Sequence, residues 1–281
     1  MKYPFTLCAF ADEAANDLTG QLDALVKNSI GWLELRGVDG RNVSALSAGD
    51  ARAIRARLDD RGVRVWAIGS PTGKISVADD FQPHLDSFRH MVELAGLLGA
   101  SHYRLFSFYV PRENGKVPSS ARDAALECLS RLAEAAKGSG LVLCHENEKE
   151  IYGEKADACL DIHKSLPDIR AVFDPANFIQ AGQDTLPAWE MLEPYVEYFH
   201  IKDALPDGRV VPAGHGAGQI PELLSRYGAG GGRILTIEPH LSVFSGLSEL
   251  ERGQKSGIDE FAYPTRLDAF DAAVAALRKI I

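Results

Sequence analysis

The chain has no apolar run near the ~18 residues that a membrane-spanning helix needs. It also has no C-x-x-C pair and no cluster of basic residues. Each absence closes a class of function. Four cysteines, Cys8, Cys128, Cys144 and Cys159, stand far apart, mostly in apolar or helical surroundings. There a free thiol acts as a small hydrophobe, so disulfides and thiolate metal sites are not expected. Acidic residues outnumber basic ones, 39 to 30, for a formal net charge of −9. Non-specific nucleic-acid binding needs several Lys or Arg on phosphates, so no nucleic-acid partner is expected. The opening "MKYPFTLCAFADEA" lacks a long apolar core and a small-residue cleavage site, and does not read as a secretory signal. A cytoplasmic protein without membrane contact is the expectation.

Nucleotide motifs are missing too. "GSPTGK" (69–74) has the wrong spacing for G-x-x-x-x-G-K-[ST], and Ile75 follows its lysine. It reads as a tight turn after a strand. No G-x-G-x-x-G follows the first strand, which argues against an open dinucleotide-binding sheet. "GHGAG" (214–218) likewise lacks the dinucleotide surroundings, and reads as a place of close backbone approach.

What the chain does have is alternation. Short apolar runs at 5–10, 31–36, 63–69, 101–106, 141–146, 169–174, 196–202 and 233–238 read as strands. Between and after them lie segments with helical spacing: 16–29, 47–62, 81–99, 120–138, 155–166, 184–193, 219–227 and 265–280. Strict alternation predicts a parallel sheet with crossover helices. Eight such units in 281 residues predict an α/β fold closed as a single (β/α)8 TIM barrel, one domain over 1–281.

Barrel enzymes carry their chemistry where strands end. The late strands here end in polar residues: Glu146 in "LCHEN", Asp174 in "AVFDPAN", His200 and Lys202 in "YFHIKD", and Glu238 in "LTIEPHL". Side chains alternate across a strand. Phe199 and Ile201 suit the helix-facing side, which sends His200 and Lys202 into the barrel mouth. The same parity sends Asp174 and Glu238 inward, sets Glu34 and Arg36 on one face of the second strand, and turns His145 outward as a structural residue. Glu146, Asp174, His200 and Glu238 can therefore converge. Three carboxylates cannot share a small buried space without compensation. Protonation is one answer. A single divalent cation, Mn, Mg, Co, Zn or Fe, is the simpler one for three oxygens and an imidazole.

At these residues the chain resembles the sugar phosphate isomerase/epimerase family, the xylose isomerase-like barrels. The likeness runs from "ADEA" (11–14) through "ELRGVDG" (34–40), "GSPTGKI" (69–75), "RLFSFY" (104–109), "HEN" (145–147), "FDPANF" (173–178), "FHIKDA" (199–204) and "AGHGAG" (213–218) to "IEPHL" (237–241). It implies a metal held by Glu146, Asp174, His200 and Glu238. Ketose epimerases of the family place a histidine three residues after the strand-6 aspartate. Asn177 stands there instead, and substrate contact is the role the position implies.

The expected chemistry is proton transfer at a carbon beside a carbonyl, through an enediolate. Glu146 and Glu238 are the candidate catalytic pair. Return of the proton to the opposite face is epimerisation, and return to the next carbon is isomerisation. Loss of a β-hydroxyl would be dehydration, the alternative; an endonuclease IV-like repair enzyme and a non-catalytic sugar-binding barrel are more distant ones. Lys202 is a candidate point charge for a substrate oxygen, or else a partner for Asp203. Arg36 and Arg104 are candidates for substrate hydroxyls or a phosphate, or else ion-pair partners of Glu34 or another wall acid. Arg209 lies in the loop after the seventh strand and is a further substrate-binding candidate. The expected partner is a small sugar or polyol. The long connection 241–264, with Phe244, Phe261 and Tyr263, is a candidate lid or homodimer contact.

Overall fold

Each of the eight short apolar runs forms a strand in the computed structural model, which describes residues 3–244 and 263–281. The strands are β1 (Thr6–Ala9), β2 (Trp32–Leu35), β3 (Arg64–Gly69), β4 (His102–Leu105), β5 (Val142–Glu146), β6 (Arg170–Phe173), β7 (Val196–Ile201) and β8 (Ile234–Ile237). All neighbours pair in parallel, and β1 pairs with both β2 and β8. The sheet therefore closes into a barrel.

Around it run α1 (Leu18–Lys27), α2 (Ala48–Asp60), α3 (Phe81–Leu98), α4 (Ser119–Ala135), α5 (Ala156–Ser165), α6 (Pro175–Gln180), α7 (Thr185–Leu192), α8 (Ile220–Ala229) and α9 (Arg266–Arg278). Their starts are written locally. Ser47 and Asp50 form a reciprocal capping box on α2, while Asp17 and Thr265 cap α1 and α9. Gly99 ends α3 in the left-handed conformation, φ 73°. Among the described residues no helix is long and apolar enough to cross a membrane.

Most of the apolar core lies between the strands' outer faces and the helices. A small second cluster, Ala67, Cys144, Val172 and Tyr198, fills the barrel's interior. These inward residues fix the parity of everything above them: Glu146 follows Cys144, Asp174 follows Val172, and His200 follows Tyr198, each by two positions. Two register shifts, at Leu33/Glu34 and at Ala171/Val172, disturb the ladder without reversing these faces. His145 points outward, as its parity requires. It is buried with its Nε2 3.0 Å from Ser107 Oγ, and burial holds its pKa well below the ordinary value.

Several short elements were not expected from the sequence. A 3-10 turn (Ala11–Glu13) follows β1, and α6 starts directly at the end of β6. Two hairpins, Gly37–Val38 with Arg41–Asn42 and Asp203–Ala204 with Val210–Val211, sit on the rim. All are too short for a periodic pattern to show. In the connection 241–264, Phe244 and Tyr263 are described, but Phe261 and the rest of 245–262 lie outside the described residues.

Candidate metal centre

At the C-terminal mouth of the barrel, Glu146, Asp174, His200 and Glu238 come together from β5 to β8. Each offers a ligand atom, and these atoms all lie within 4.8 Å of one another. His200 Nδ1 is 3.1 Å from Glu146 Oε1 and 3.3 Å from Glu238 Oε2. All four side chains are buried.

Local sequence builds each position. Asp174 divides its carboxylate: Oδ1 accepts the Asn177 backbone N–H at 2.9 Å and caps α6, with Pro175 in the first helical turn. That leaves Oδ2 facing the centre. Lys202 Nζ lies 2.8 Å from it, off the direction of a hydrogen bond, so this buried oxygen has no hydrogen-bond donor. Asn147 and Asp174 exchange two bonds, Nδ2 to the Asp174 carbonyl (2.9 Å) and Asp174 N–H to Oδ1 (3.0 Å), locking "HEN" against "FDPAN". Asn177 donates its amide to Glu146 Oε1 at 3.2 Å and to the Asn147 carbonyl at 2.9 Å. It braces Glu146 from the side.

The charges are compensated by cations packed among them. Lys202 Nζ also reaches Glu238 Oε2 at 3.2 Å. Its pKa is raised, the surrounding carboxylates outweighing the cost of burial. Burial by itself favours a protonated Glu238, but Lys202, His240 and His200 outweigh it and hold the carboxyl well below its ordinary range. Asp174 goes the other way: burial pushes it up, to about 7, against the pull of Lys202. Burial opposes a charged His200, yet Glu146 and Glu34 raise it well above the ordinary imidazole value.

Glu34 is the member that strand-end reading undervalued. It sits inside the barrel, wholly buried, below the ring of His200. Its Oε2 is 3.2 Å from His200 Nε2, and its Oε1 accepts the Tyr198 hydroxyl at 3.0 Å. The ring is thus held from behind, with Nδ1 turned toward the other carboxylates. Parity sets Glu34 on the same face as Arg36, where the sequence offers it only as an alternative partner for an arginine. Arg104 does lie 3.9 Å from it, and is nearer to Glu146, at 3.2 Å.

Arg36 has other partners. It bonds both oxygens of Asp12 (2.8 and 3.0 Å) and Glu13 Oε1 (3.0 Å), and reaches Glu238 Oε1 at 3.3 Å. The rings of Phe10 and Phe244 flank its guanidinium at 4.4 and 4.6 Å. Asp12 and Glu13 were not singled out from the sequence, although "ADE" also follows a strand. Burial raises Glu13 to about 7, against the pull of Arg36. Glu13, Glu238 and His240 form a second group with ligand-like spacing. The Arg36 guanidinium already lies against Glu13 and Glu238, so a second cation there would meet a fixed positive charge.

Asp203 is structural in a specific way. Its carboxylate accepts the backbone N–H groups of Ala204, Gly214, Gly216 and Gly218 at 2.9–3.0 Å. A Cβ on Gly216 would stand 2.3 Å from Asp203 Oδ1, so "GHGAG" packs its backbone directly on that carboxylate. Arg209 is not placed among the four converging side chains. It lies beside the turn of the second hairpin, with Nε 2.9 Å from Asp207 Oδ2.

The donor set fits a divalent cation. A metal about 2.0–2.2 Å from each ligand atom requires ligand–ligand separations under ~4.4 Å. The His200 contacts with Glu146 and Glu238 meet that; the whole set lies within 4.8 Å, so the outermost pair would draw in on binding, and an ion would compete with Lys202 for Asp174 Oδ2. Three oxygens and one imidazole nitrogen, with a carboxylate behind the imidazole, is a common arrangement for such ions.

A family model described as xylose isomerase-like TIM barrel matches residues 22–255. The chain belongs to that family. Comparison with curated protein sequences gives no match. Among solved structures, the chain is similar to the probable 3-DHS dehydratase AsbF of petrobactin synthesis from Bacillus anthracis, with 15% identity, TM-score 0.73 and 99% of each chain covered. It is equally similar to D-psicose 3-epimerase from Clostridium cellulolyticum H10, solved with D-tagatose, with 15% identity, TM-score 0.73 and 98% of each chain covered. The IOLI protein with a bound zinc atom has 14% identity and TM-score 0.73, with 98% of this chain and 97% of that one covered. At these identities the likeness is one of fold. The neighbours are mostly enzymes of differing activities, so this xylose isomerase-like barrel keeps company with epimerases and a dehydratase alike.

Proposed function

We propose that this protein is a divalent-metal-dependent isomerase or epimerase of a small sugar or polyol, with Glu146, Asp174, His200 and Glu238 as metal ligands. The observation that carries the reading is their convergence within one coordination sphere at the barrel's C-terminal mouth.

A bound divalent cation would supply Lewis acidity, polarising the substrate carbonyl and acidifying the neighbouring C–H. The rest falls to the chain's own groups. In one direction Glu146 takes the proton, leaving an enediolate, and Glu238, which must first gain a proton from solvent because the resting site holds it ionised, returns that proton from the other side. In the reverse direction the roles exchange, and Glu238, held ionised in the resting site, abstracts. Lys202, 3.2 Å from Glu238, is placed to steady the enediolate oxygens as a point charge. Arg104, with Nε 3.2 Å from Glu146 but outside hydrogen-bond geometry, supplies a compensating charge beside that carboxylate. Burial of the whole group excludes bulk water, which would quench the enediolate.

The test is a panel of ketoses, inososes and their phosphates, assayed in deuterated water with Mn(II) and with EDTA. Deuterium should enter carbon-bound positions of a turned-over substrate, EDTA should stop turnover, and Glu146→Gln should slow it by about 10²–10⁴. Turnover that survives EDTA, or is unchanged in Glu146→Gln, overturns the reading.

A further inference from the structure

A cavity of about 350 Å³ opens beside the metal centre, walled by the loops after β1, β2 and β3 and by α3. None of Glu146, Asp174, His200, Lys202 and Glu238 lines it. It borders that group in two places. Arg36 lines the cavity and lies 3.3 Å from Glu238, and Lys74 lines it with Nζ 3.1 Å from Glu148, two residues beyond Glu146. A substrate whose reacting carbon sits among the carboxylates therefore leaves this space for a part of itself that does not react. At roughly 30 Å³ for each water-sized group, the space takes about a dozen non-hydrogen atoms. That is the bulk of one whole hexose.

The walls select the kind of group. Among the described residues, each cation of the lining already has a carboxylate. Arg36 bonds Asp12 and Glu13, Lys74 pairs with Glu148, and Arg41 pairs with Asp50 at 3.1 Å. His84 accepts the Gly73 N–H on Nε2 at 2.8 Å, and burial lowers its pKa. The lining thus holds no unmatched charge. Its neutral polar groups are of both kinds. Ser44 donates its hydroxyl to Asn42 Oδ1 at 2.9 Å and keeps its own lone pairs. Ser87, on α3, presents a hydroxyl that can give or take. Asn16 and Asn42 bring amide NH2 groups, their oxygens already accepting from Arg266 and Ser44. Beside these lie the apolar side chains of Ile75, Met91 and Phe244. A wall that gives and takes, with an apolar strip and balanced charge, matches a neutral ring with hydroxyls around its edge and C–H bonds on its face.

We infer that this cavity receives a second sugar ring, so that the substrate is a glycoside, a carbonyl-bearing sugar joined to a further hexose, and not a monosaccharide. The inference rests on the proposed role of the neighbouring centre, but its test is separable.

Isothermal titration of the Mn(II)-loaded protein compares D-fructose with the glucosyl-fructoses turanose, maltulose, leucrose and isomaltulose. These share one ketose and differ only in where the second ring is attached. At least one should bind about tenfold or more tighter than fructose, the scale of one or two net hydrogen bonds. Ser87→Phe fills the cavity from α3, and Ser44→Phe fills it from the loop after β2. Each should bring the ratio to fructose down to near one. Both serines are half-buried, so a fold lost in one variant leaves the other to decide. Mn(II) affinity should be unchanged in both, which places the loss in the cavity. Glucosyl-fructoses that all bind no tighter than fructose, that all fail to bind at millimolar concentration, or whose gain survives in full in a folded variant overturn the inference. Repeating the titration after EDTA separates the two readings. A preference for the second ring that persists while Mn(II) fails to bind sinks the metal centre and leaves the cavity standing. Binding of Mn(II) and fructose without that preference does the reverse.

Discussion

Glu34→Gln is the substitution that tests most directly how the centre is held together. Glu34 touches no space a substrate could enter, being wholly buried beneath His200. With an ion bound, its carboxylate would accept the Nε2–H and so leave Nδ1, the atom facing Glu146 and Glu238, as a lone pair. Glutamine keeps the shape and removes the charge. A hydrogen bond to a charged acceptor contributes about 1.5–3 kcal/mol, and a neutral one about 0.5–1.5. The loss of roughly 1–1.5 kcal/mol is about tenfold in metal affinity. If the amide presents its NH2 to Nε2, the ring must shift its proton to Nδ1, and the loss grows toward the ~100-fold end of such effects. The expected result is therefore a Mn(II) Kd weakened about 10–100-fold, measured by titration calorimetry. The 15N shifts of the His200 ring should move in step, since they report which nitrogen is protonated. A well-folded Glu34→Gln protein with Kd within about twofold of wild type would refute the reasoning, because the carboxylate would then be filling space rather than orienting a ligand.

Three further outcomes follow from the same geometry. His200 is protonated in the metal-free site below its raised pKa, because Glu146 and Glu34 outweigh burial. Binding must expel that proton, so Mn(II) affinity should rise with pH by up to about tenfold per unit, with proton release seen as buffer-dependent heats; pH-independent affinity between pH 6 and 8 would contradict it. In Lys202→Met, Asp174 and Glu238 lose their ammonium partner. The metal-free protein should lose about 3–5 kcal/mol, and the Mn(II)-induced rise in Tm should exceed that of wild type; equal rises would show that Lys202 and the ion do not share these carboxylates. Asp203→Asn leaves one oxygen to serve four backbone N–H groups. It should cost about 2–4 kcal/mol, a fall of roughly 4–12 °C in Tm, and an unchanged melting curve would show that the 213–218 loop does not depend on it.

The barrel was legible because its signal is redundant. Each of the eight βα units repeats the same two periodicities, and an error of one or two residues at any boundary changes nothing about closure. The four converging side chains were legible for a related reason. Cys144, Val172 and Tyr198 must face the crowded interior, and residues two positions on inherit that direction. What parity cannot supply is partner choice. Arg36 and Glu34 are two apart on one strand, and an ion pair with Glu34 or another wall acid is the alternative that the sequence offers for Arg36. In the folded chain Arg36 is drawn to Asp12 and Glu13, on a short turn with no periodic signature, while Glu34 lies one layer deeper, against His200. The sequence tells which way a strand residue points, but not at what height along the barrel axis its neighbours' side chains arrive. That height depends on strand stagger and on the shifts at Leu33/Glu34 and Ala171/Val172. Glu34's contact with His200 is fixed by stagger, and Asn177's contact with Glu146 by the short helix that starts at Asp174. The candidate ligands themselves, Glu146, Asp174, His200 and Glu238, follow from parity and from the family's motifs, which is why their convergence could be read from the chain while the partners of Glu34 and Asn177 could not.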